Sequence, residues 1–209
     1  MIINKEEVLG LILAGGLSRR MNKENKFLKN IGNKTILNEI VLKSLNQVNQ
    51  LVINANIEKK EIKEFNIPVI KDTIKGNLGP LAGILSGMEY AEKKKFKWLF
   101  TFPCDAPFFP ENLVEKLLIQ VSKQGSEIVI PKSNGRLHPV FGIWSVSLKK
   151  SLENSIKKEK IRKIDLWIQK HNFSYVNFQS TNFDPFFNIN DLNDLEKAKK
   201  IFKNAKITQ

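Results

Sequence analysis

The sequence predicts an α/β fold, with a mainly parallel sheet and helices on both faces. Three observations carry this. Short apolar runs recur along the chain, each too short for a helix and bounded by turn residues. Between them lie stretches with apolar residues at helical spacing. The 209 residues, 42% of them hydrophobic, suffice for the core of one such unit, so residues 1–209 are taken as a single domain.

The first apolar run, Val8–Leu13, ends in Ala14-Gly15-Gly16 and reads as a buried strand entering a loop. Ile36, Leu37, Ile40, Val41, Ser44 and Leu45 share a helical face. Residues 51–53 form a second strand, 57–65 a helix, and Pro68 opens a third strand at Val69 and Ile70. The Gly79-Pro80 turn opens a helix over 81–91. Residues 98–102 are a fourth buried strand, followed by a helix from Pro110 to about Ser122. Strands over 127–130, 138–144 and 173–178, short helical stretches within 148–156 and 161–170, and a closing helix over 191–202 complete the chain. Strands alternating with helices give a Rossmann-like sheet, which binds ligands beyond the carboxyl ends of its strands.

No apolar stretch reaches the roughly 20 residues of a membrane helix, and the run after Glu7 is too short for a signal peptide. Cys104 is the only cysteine, so a disulfide framework is excluded and a reducing cytoplasm is expected. The formal charge is +13, which suits anionic partners in general. Only Arg19, Arg20, Arg136 and Arg162 among the 34 basic residues are arginine, the residue suited to bidentate base and phosphate readout. A solvated, lysine-rich surface is the simpler account, and neither nucleic acid nor a membrane is the expected partner.

The most specific motif is Leu13-Ala14-Gly15-Gly16-Leu17-Ser18-Arg19-Arg20-Met21, followed by Lys26. Glycine lets backbone N–H groups approach a ligand, and successive N–H groups turned one way form an anion cradle. Arg19 and Lys26 add charge against a triphosphate. The pattern matches neither the P-loop nor G-x-G-x-x-G. Three further strand ends carry Asn54, Asp72 and Asp105. Asn and Asp are ordinary turn residues, and Asp105 ahead of Pro110 also fits a helix cap. A carboxylate at a strand end equally suits Mg²⁺, which takes one or two carboxylates and leans on substrate phosphates for the rest. Cys104 has no partner nearby in sequence and reads as a packed small residue rather than a nucleophile.

Together these blocks resemble the molybdenum cofactor guanylyltransferase family. The loop is similar to its L-A-G-G-x-S-x-R-M signature with a following lysine, departing at Asn22, where glycine is usual, and at Asn25, where aspartate is common. Val52-Ile53-Asn54-Ala55-Asn56, Val69-Ile70-Lys71-Asp72 and Gly79-Pro80-Leu81-Ala82-Gly83 resemble its nucleotide-site segments. Pro103-Cys104-Asp105-Ala106-Pro107 resembles its P-x-D-x-P metal segment, and His138-Pro139-Val140-Phe141-Gly142 its acceptor strand. Phe187-Asn188-Ile189-Asn190 resembles its closing block, without the Thr-Pro that usually follows.

The resemblance implies a nucleotidyltransferase-type fold and transfer of GMP from GTP to molybdopterin, with release of pyrophosphate. It implies Arg19, Lys26 and Asp105 as catalytic residues, with Asp105 the ligand of Mg²⁺. Leu13, Ala14, Gly15, Gly16, Lys26, Asn54, Asp72, Gly79 and Asp105 line the nucleotide. His138, against pterin or phosphate, and Asn188 and Asn190 line the acceptor. Cofactor-biosynthesis or molybdoenzyme-maturation proteins are the further partners it suggests. The rivals are a cytidylyltransferase for the same cofactor, a sugar-phosphate nucleotidyltransferase, and a non-catalytic nucleotide or nucleic-acid binder using the positive charge. Gly15-Gly16, in place of Ala-Gly, favours guanine.

Overall fold

The structure, a computed structural model, describes residues 4–15, 26–56, 60–76, 78–180 and 182–207. Strand β1 (Val8–Leu13) is apolar on both sides. Leu9 and Leu11 enter one buried cluster, whereas Val8 and Ile12 enter another. The period of two sorts them onto opposite faces of the sheet. The same split divides Leu51 and Ile53 from Val52 in β4 (Gln50–Asn54), and Phe100 and Phe102 from Leu99 in β6 (Trp98–Pro103). In β7 (Ile128–Ser133) it divides Val129 from Ile128 and Ile130. Strands apolar on both sides need a layer of helices on each.

Helices α1 (Ile36–Leu45), α4 (Leu113–Gln124) and α7 (Leu192–Ile207) supply one layer. Helices α3 (Pro80–Lys93), α5 (Lys149–Lys157) and α6 (Ile164–Ile168) supply the other. A short helix, α2 (Lys60–Lys63), follows β4. Thr35 caps α1 by accepting from Asn38 N, and Asp191 caps α7 by accepting from Asp194 N at 2.9 Å. Among the described residues, no helix is long and apolar enough to cross a membrane.

The described strands form a sheet in the order β10 (Phe173–Asn177), β7, β9 (Gly142–Ser145), β6, β1, β4, β5 (Val69–Ile70), with β8 (Arg136–Leu137) paired to β7. β2 (Asn30–Ile31) and β3 (Lys34–Thr35) form a separate hairpin. β9 and β8 run against their neighbours; the other pairings in the large sheet are parallel. β1, β4, β5, β6, β7 and β10 therefore all end at one edge, where ligands bind in such sheets.

Several boundaries differ from the sequence expectation. The helix expected from Pro110 begins at Leu113, because residues 110–112 turn first and Leu113 N donates to the Pro110 carbonyl at 3.2 Å. The strand expected over 138–144 begins only at Gly142. His138 to Phe141 is a turn closed by Phe141 N on the His138 carbonyl at 3.0 Å, and Pro139 has no N–H to offer a ladder. The short helical stretch expected within 161–170 is α6. Of the helix expected over 57–65, residues 60–63 are helical, and 57–59 lie outside the described residues.

Candidate active site

Leu13 ends β1 between two parallel neighbours, in register with Asn54 of β4 on one side and Pro103 of β6 on the other. This places the start of the glycine loop between the asparagine and aspartate strand ends. Ala14 N donates to the Asn54 carbonyl at 2.9 Å, and Cys104 N donates to the Leu13 carbonyl at 3.3 Å. Gly16 and Arg19 lie outside the described residues, as does the rest of the segment up to Asn25.

Lys26 follows that segment in a 3-10 turn and reaches across the edge to Asp105. Its Nζ lies 2.6 Å from Asp105 Oδ2 and 3.4 Å from Asn190 Oδ1. The Asp105 backbone carbonyl accepts from Ile189 N at 2.8 Å, which ties the closing block of the sequence to the backbone of Asp105. Asn188, in the same block, is exposed, and its side chain has no described contact with the cluster. Asp105 is no helix cap, since α4 begins only at Leu113. The cluster offers hard oxygen donors, a carboxylate and an amide, beside a lysine. No group of three or more His, Cys, Asp or Glu that could hold a metal occurs among the described residues. A donor set of this kind fits Mg²⁺ bound mainly through substrate phosphates and water.

Cys104 is buried beside this carboxylate. Burial, and then the Asp105 charge, push its thiol well above the usual range, so it serves packing rather than nucleophilic chemistry.

A second cluster forms where β4 and β5 end. Asn54 is buried and donates from Nδ2 to Asp72 Oδ1 at 2.9 Å. Asn56 donates to Asp72 Oδ2 at 2.8 Å and accepts from Asp72 N at 2.9 Å. Both carboxylate oxygens are thereby oriented, and each keeps lone-pair capacity for a further donor. Two glycines make room. A Cβ on Gly83 would come within 2.5 Å of Asn54 Oδ1, and one on Gly15 within 3.3 Å. Gly79 has φ 64°, as the turn into α3 requires, and a Cβ there would sit 3.6 Å from the Arg162 carbonyl. Gly83 rather than Gly79 is thus the glycine against the asparagine.

A third cluster follows β7. Ser133, at the strand end and buried, donates to Asp184 Oδ1 at 2.7 Å. His138 Nε2 lies 2.7 Å from the same hydroxyl, and its ring stacks on Phe186 with centroids 4.7 Å apart. Burial is the main cause lowering the His138 pKa, opposed by Asp184 and reinforced by Arg136.

Four residues here escaped the sequence reading as site components. Asn56 sits inside the V-x-N-A-N block, so its spacing from Asn54 was a usable signal. Ser133 and Asp184 had none beyond an Asp-Pro turn. Lys43 of α1 donates to the Phe109 carbonyl at 2.7 Å and the Pro107 carbonyl at 3.4 Å, bracing the segment after Asp105. Beside it, in the turn after α1, Gln47 donates to the Pro110 carbonyl at 3.1 Å and accepts from Val114 N at 3.1 Å, satisfying an N–H at the start of α4. On sequence Lys43 was one more surface lysine. Burial lowers its pKa, which marks it as an interior brace.

The chain matches the model of the MobA-like NTP transferase domain over residues 10–172. It is 34% identical over 203 residues to the molybdenum cofactor guanylyltransferase of Mesorhizobium japonicum, covering 95% of this chain and 98% of that one. It is 35% identical over 204 residues to the enzyme of that name from Rhizobium leguminosarum bv. trifolii, covering 95% and 94%. Among solved structures it resembles molybdopterin-guanine dinucleotide biosynthesis protein A from Archaeoglobus fulgidus, with TM-score 0.74, 26% identity and 94% and 99% of the two chains covered. It shares the fold of 4-diphosphocytidyl-2C-methyl-D-erythritol synthase from Anaerococcus prevotii, with TM-score 0.75, 12% identity and 97% and 98% covered.

Proposed function

The chain belongs to the MobA-like NTP transferase family, and from that premise we propose that it is a guanylyltransferase joining GMP from GTP to molybdopterin. The observation that carries the chemistry is the Lys26–Asp105–Asn190 cluster at the carboxyl edge, flanked by the Asn54–Asn56–Asp72 cluster. The relatives' shared name carries the choice of guanine and acceptor.

A terminal phosphate oxygen of molybdopterin attacks the α-phosphorus of GTP. The new P–O bond forms as the bond to the β-phosphate oxygen breaks, and pyrophosphate leaves. The nucleophile is already anionic, so no strong general base is needed. Lys26, Arg19 and the N–H groups of the loop from Leu13 through Gly16 hold the phosphates and neutralise charge developing on them. Asp105, with Asn190 beside it, would hold Mg²⁺, which when bound supplies further charge neutralisation at the phosphate oxygens. Asp72, oriented by Asn54 and Asn56, accepts from the N–H groups of the guanine edge. Gly79 and Gly83 leave room for the nucleotide near α3. His138, Asn188 and Asn190 face the acceptor. A reducing cytoplasm suits the single cysteine, a buried free thiol.

Calorimetry with the four nucleoside triphosphates tests the base assignment. GTP should bind most tightly, because other bases leave the Asp72 cluster unpaired. Tighter CTP binding would transfer the protein to the cytidylyl branch.

A further inference from the structure

Ser133, His138 and Asp184 form a chain of hydrogen bonds whose proton positions follow from counting. Ser133 has one hydroxyl proton and gives it to the Asp184 carboxylate at 2.7 Å. An ionised carboxylate can only accept. The same hydroxyl therefore offers only lone pairs to His138 Nε2, 2.7 Å away, and Nε2 must carry the proton. In a neutral imidazole the other nitrogen, Nδ1, is then an acceptor. The ring is further fixed by Phe186 against its face, and Phe186 N itself donates to Asp184 Oδ1 at 2.9 Å. Burial and the Arg136 charge favour the neutral form, against the pull of Asp184.

We propose that Ser133 and Asp184 are positioning residues that lock His138 as the Nε2–H tautomer, so that Nδ1 recognises an N–H or amino donor on the acceptor molecule. This rests on the guanylyltransferase reading and sharpens it. The acceptor has two chemically opposite ends. A phosphate offers only acceptor oxygens in its ionised form and would meet Nδ1 lone pair to lone pair. A pterin ring carries amino and N–H donors that match it. His138 therefore reads the pterin edge, and the phosphate is left to Lys26 and its neighbours.

The second histidine supplies an internal control. His171 Nδ1 lies 2.9 Å from the Trp167 carbonyl, which can only accept, and Nε2 lies 2.8 Å from Ser151 Oγ. His171 is thus the Nδ1–H tautomer, opposite to His138.

Long-range proton–nitrogen correlation spectra of ligand-free, ring-¹⁵N-labelled protein at pH 8 distinguish the two forms. The expected result is one histidine of each tautomer. Ser133→Ala should abolish the Nε2–H preference of His138 and leave His171 unchanged, and Ser133→Thr, which keeps the hydroxyl, should restore it. A wild-type His138 found as Nδ1–H, or as an even mixture, overturns the proposal. Adding inorganic phosphate should leave His138 neutral; conversion to the imidazolium pattern would assign it to phosphate instead. In turnover, Ser133→Ala should raise the KM for molybdopterin about tenfold, the loss of roughly one hydrogen bond, with the GTP dissociation constant unchanged. An unchanged molybdopterin KM overturns the proposal. The spectra need no substrate, so the tautomer assignment stands or falls apart from the transfer reaction.

Discussion

Lys26 and Asp105 are 79 residues apart in sequence, and their side chains meet at 2.6 Å. β1 and β6 are parallel neighbours, so Ala14 and Cys104 leave the sheet side by side, and Lys26 closes on Asp105 at that edge. The ammonium that would grip phosphate and the carboxylate that would hold a cation are thus already in contact.

This pairing separates functional charge from surface charge. Lys26→Ala should lower turnover by roughly a hundredfold or more, on the scale of removing one transition-state contact. Lys157 pairs with Glu153 on α5, and Lys158 and Lys160 are exposed. Replacing these three with Gln should leave turnover within about twofold at physiological salt, where charges beyond about 8 Å are screened. Steady-state kinetics of both variants checks the division, and equal losses would undo it.

Asp105→Asn should melt near the wild-type temperature and lose most metal-dependent transfer. Asparagine keeps the shape and the hydrogen bonding but not the charge a hard cation prefers. Thermal melting without ligand and turnover across a Mg²⁺ series test this together. Near wild-type turnover at limiting Mg²⁺ would remove Asp105 as the ligand, and Asp72 would be the next carboxylate to examine.

Gly83→Ala offers a test of the base cluster that reverses the usual expectation. Alanine inside a helix gains about 1 kcal/mol of propensity over glycine. Here its Cβ would meet Asn54 Oδ1 at 2.5 Å and Leu13 Cδ2 at 2.7 Å. Asn54 is tied to Asp72 and cannot yield freely. The variant should bind GTP about tenfold more weakly, as measured by calorimetry, the scale of losing one base-edge hydrogen bond. Unchanged affinity would show that the asparagine has slack or plays no part.

The lowered His138 pKa has a signed consequence for stability. In the unfolded chain this histidine protonates around its ordinary value of 6.5, and in the folded chain only at lower pH. As pH falls below 6.5 the unfolded state binds the extra proton first, so stability drops; above 6.5 this contribution is flat. Melting temperatures at pH 7.5 and 5.5 should therefore differ more for wild type than for His138→Asn. An equal difference in both would deny the shift.

Much of the architecture was legible in the sequence because buried parallel strands are continuous apolar runs that stop at Gly, Asn or Asp. Asn54 stood out because it closes one such run, and Asp72 and Asp105 because they stand shortly beyond two other apolar segments. The failures share a cause as well. The turn at His138 and the late start of α4 are local turns that apolar periodicity does not register, and at α4 a distant residue, Gln47, also supplies the acceptor for Val114 N. Ser133 and Asp184 are 51 residues apart and ordinary in their local surroundings. Asn56 was visible but gained meaning only when β5 brought Asp72 against it. Lys43 was hidden because burial cannot be read from one lysine among many.

Pyrophosphate release, measured with each of the four nucleoside triphosphates in the presence and absence of molybdopterin, tests the central claim most directly. The account predicts Mg²⁺-dependent release with GTP that requires molybdopterin and stops in Asp105→Asn. Release with CTP in preference to GTP, or no molybdopterin-dependent release with any of the four, would contradict it.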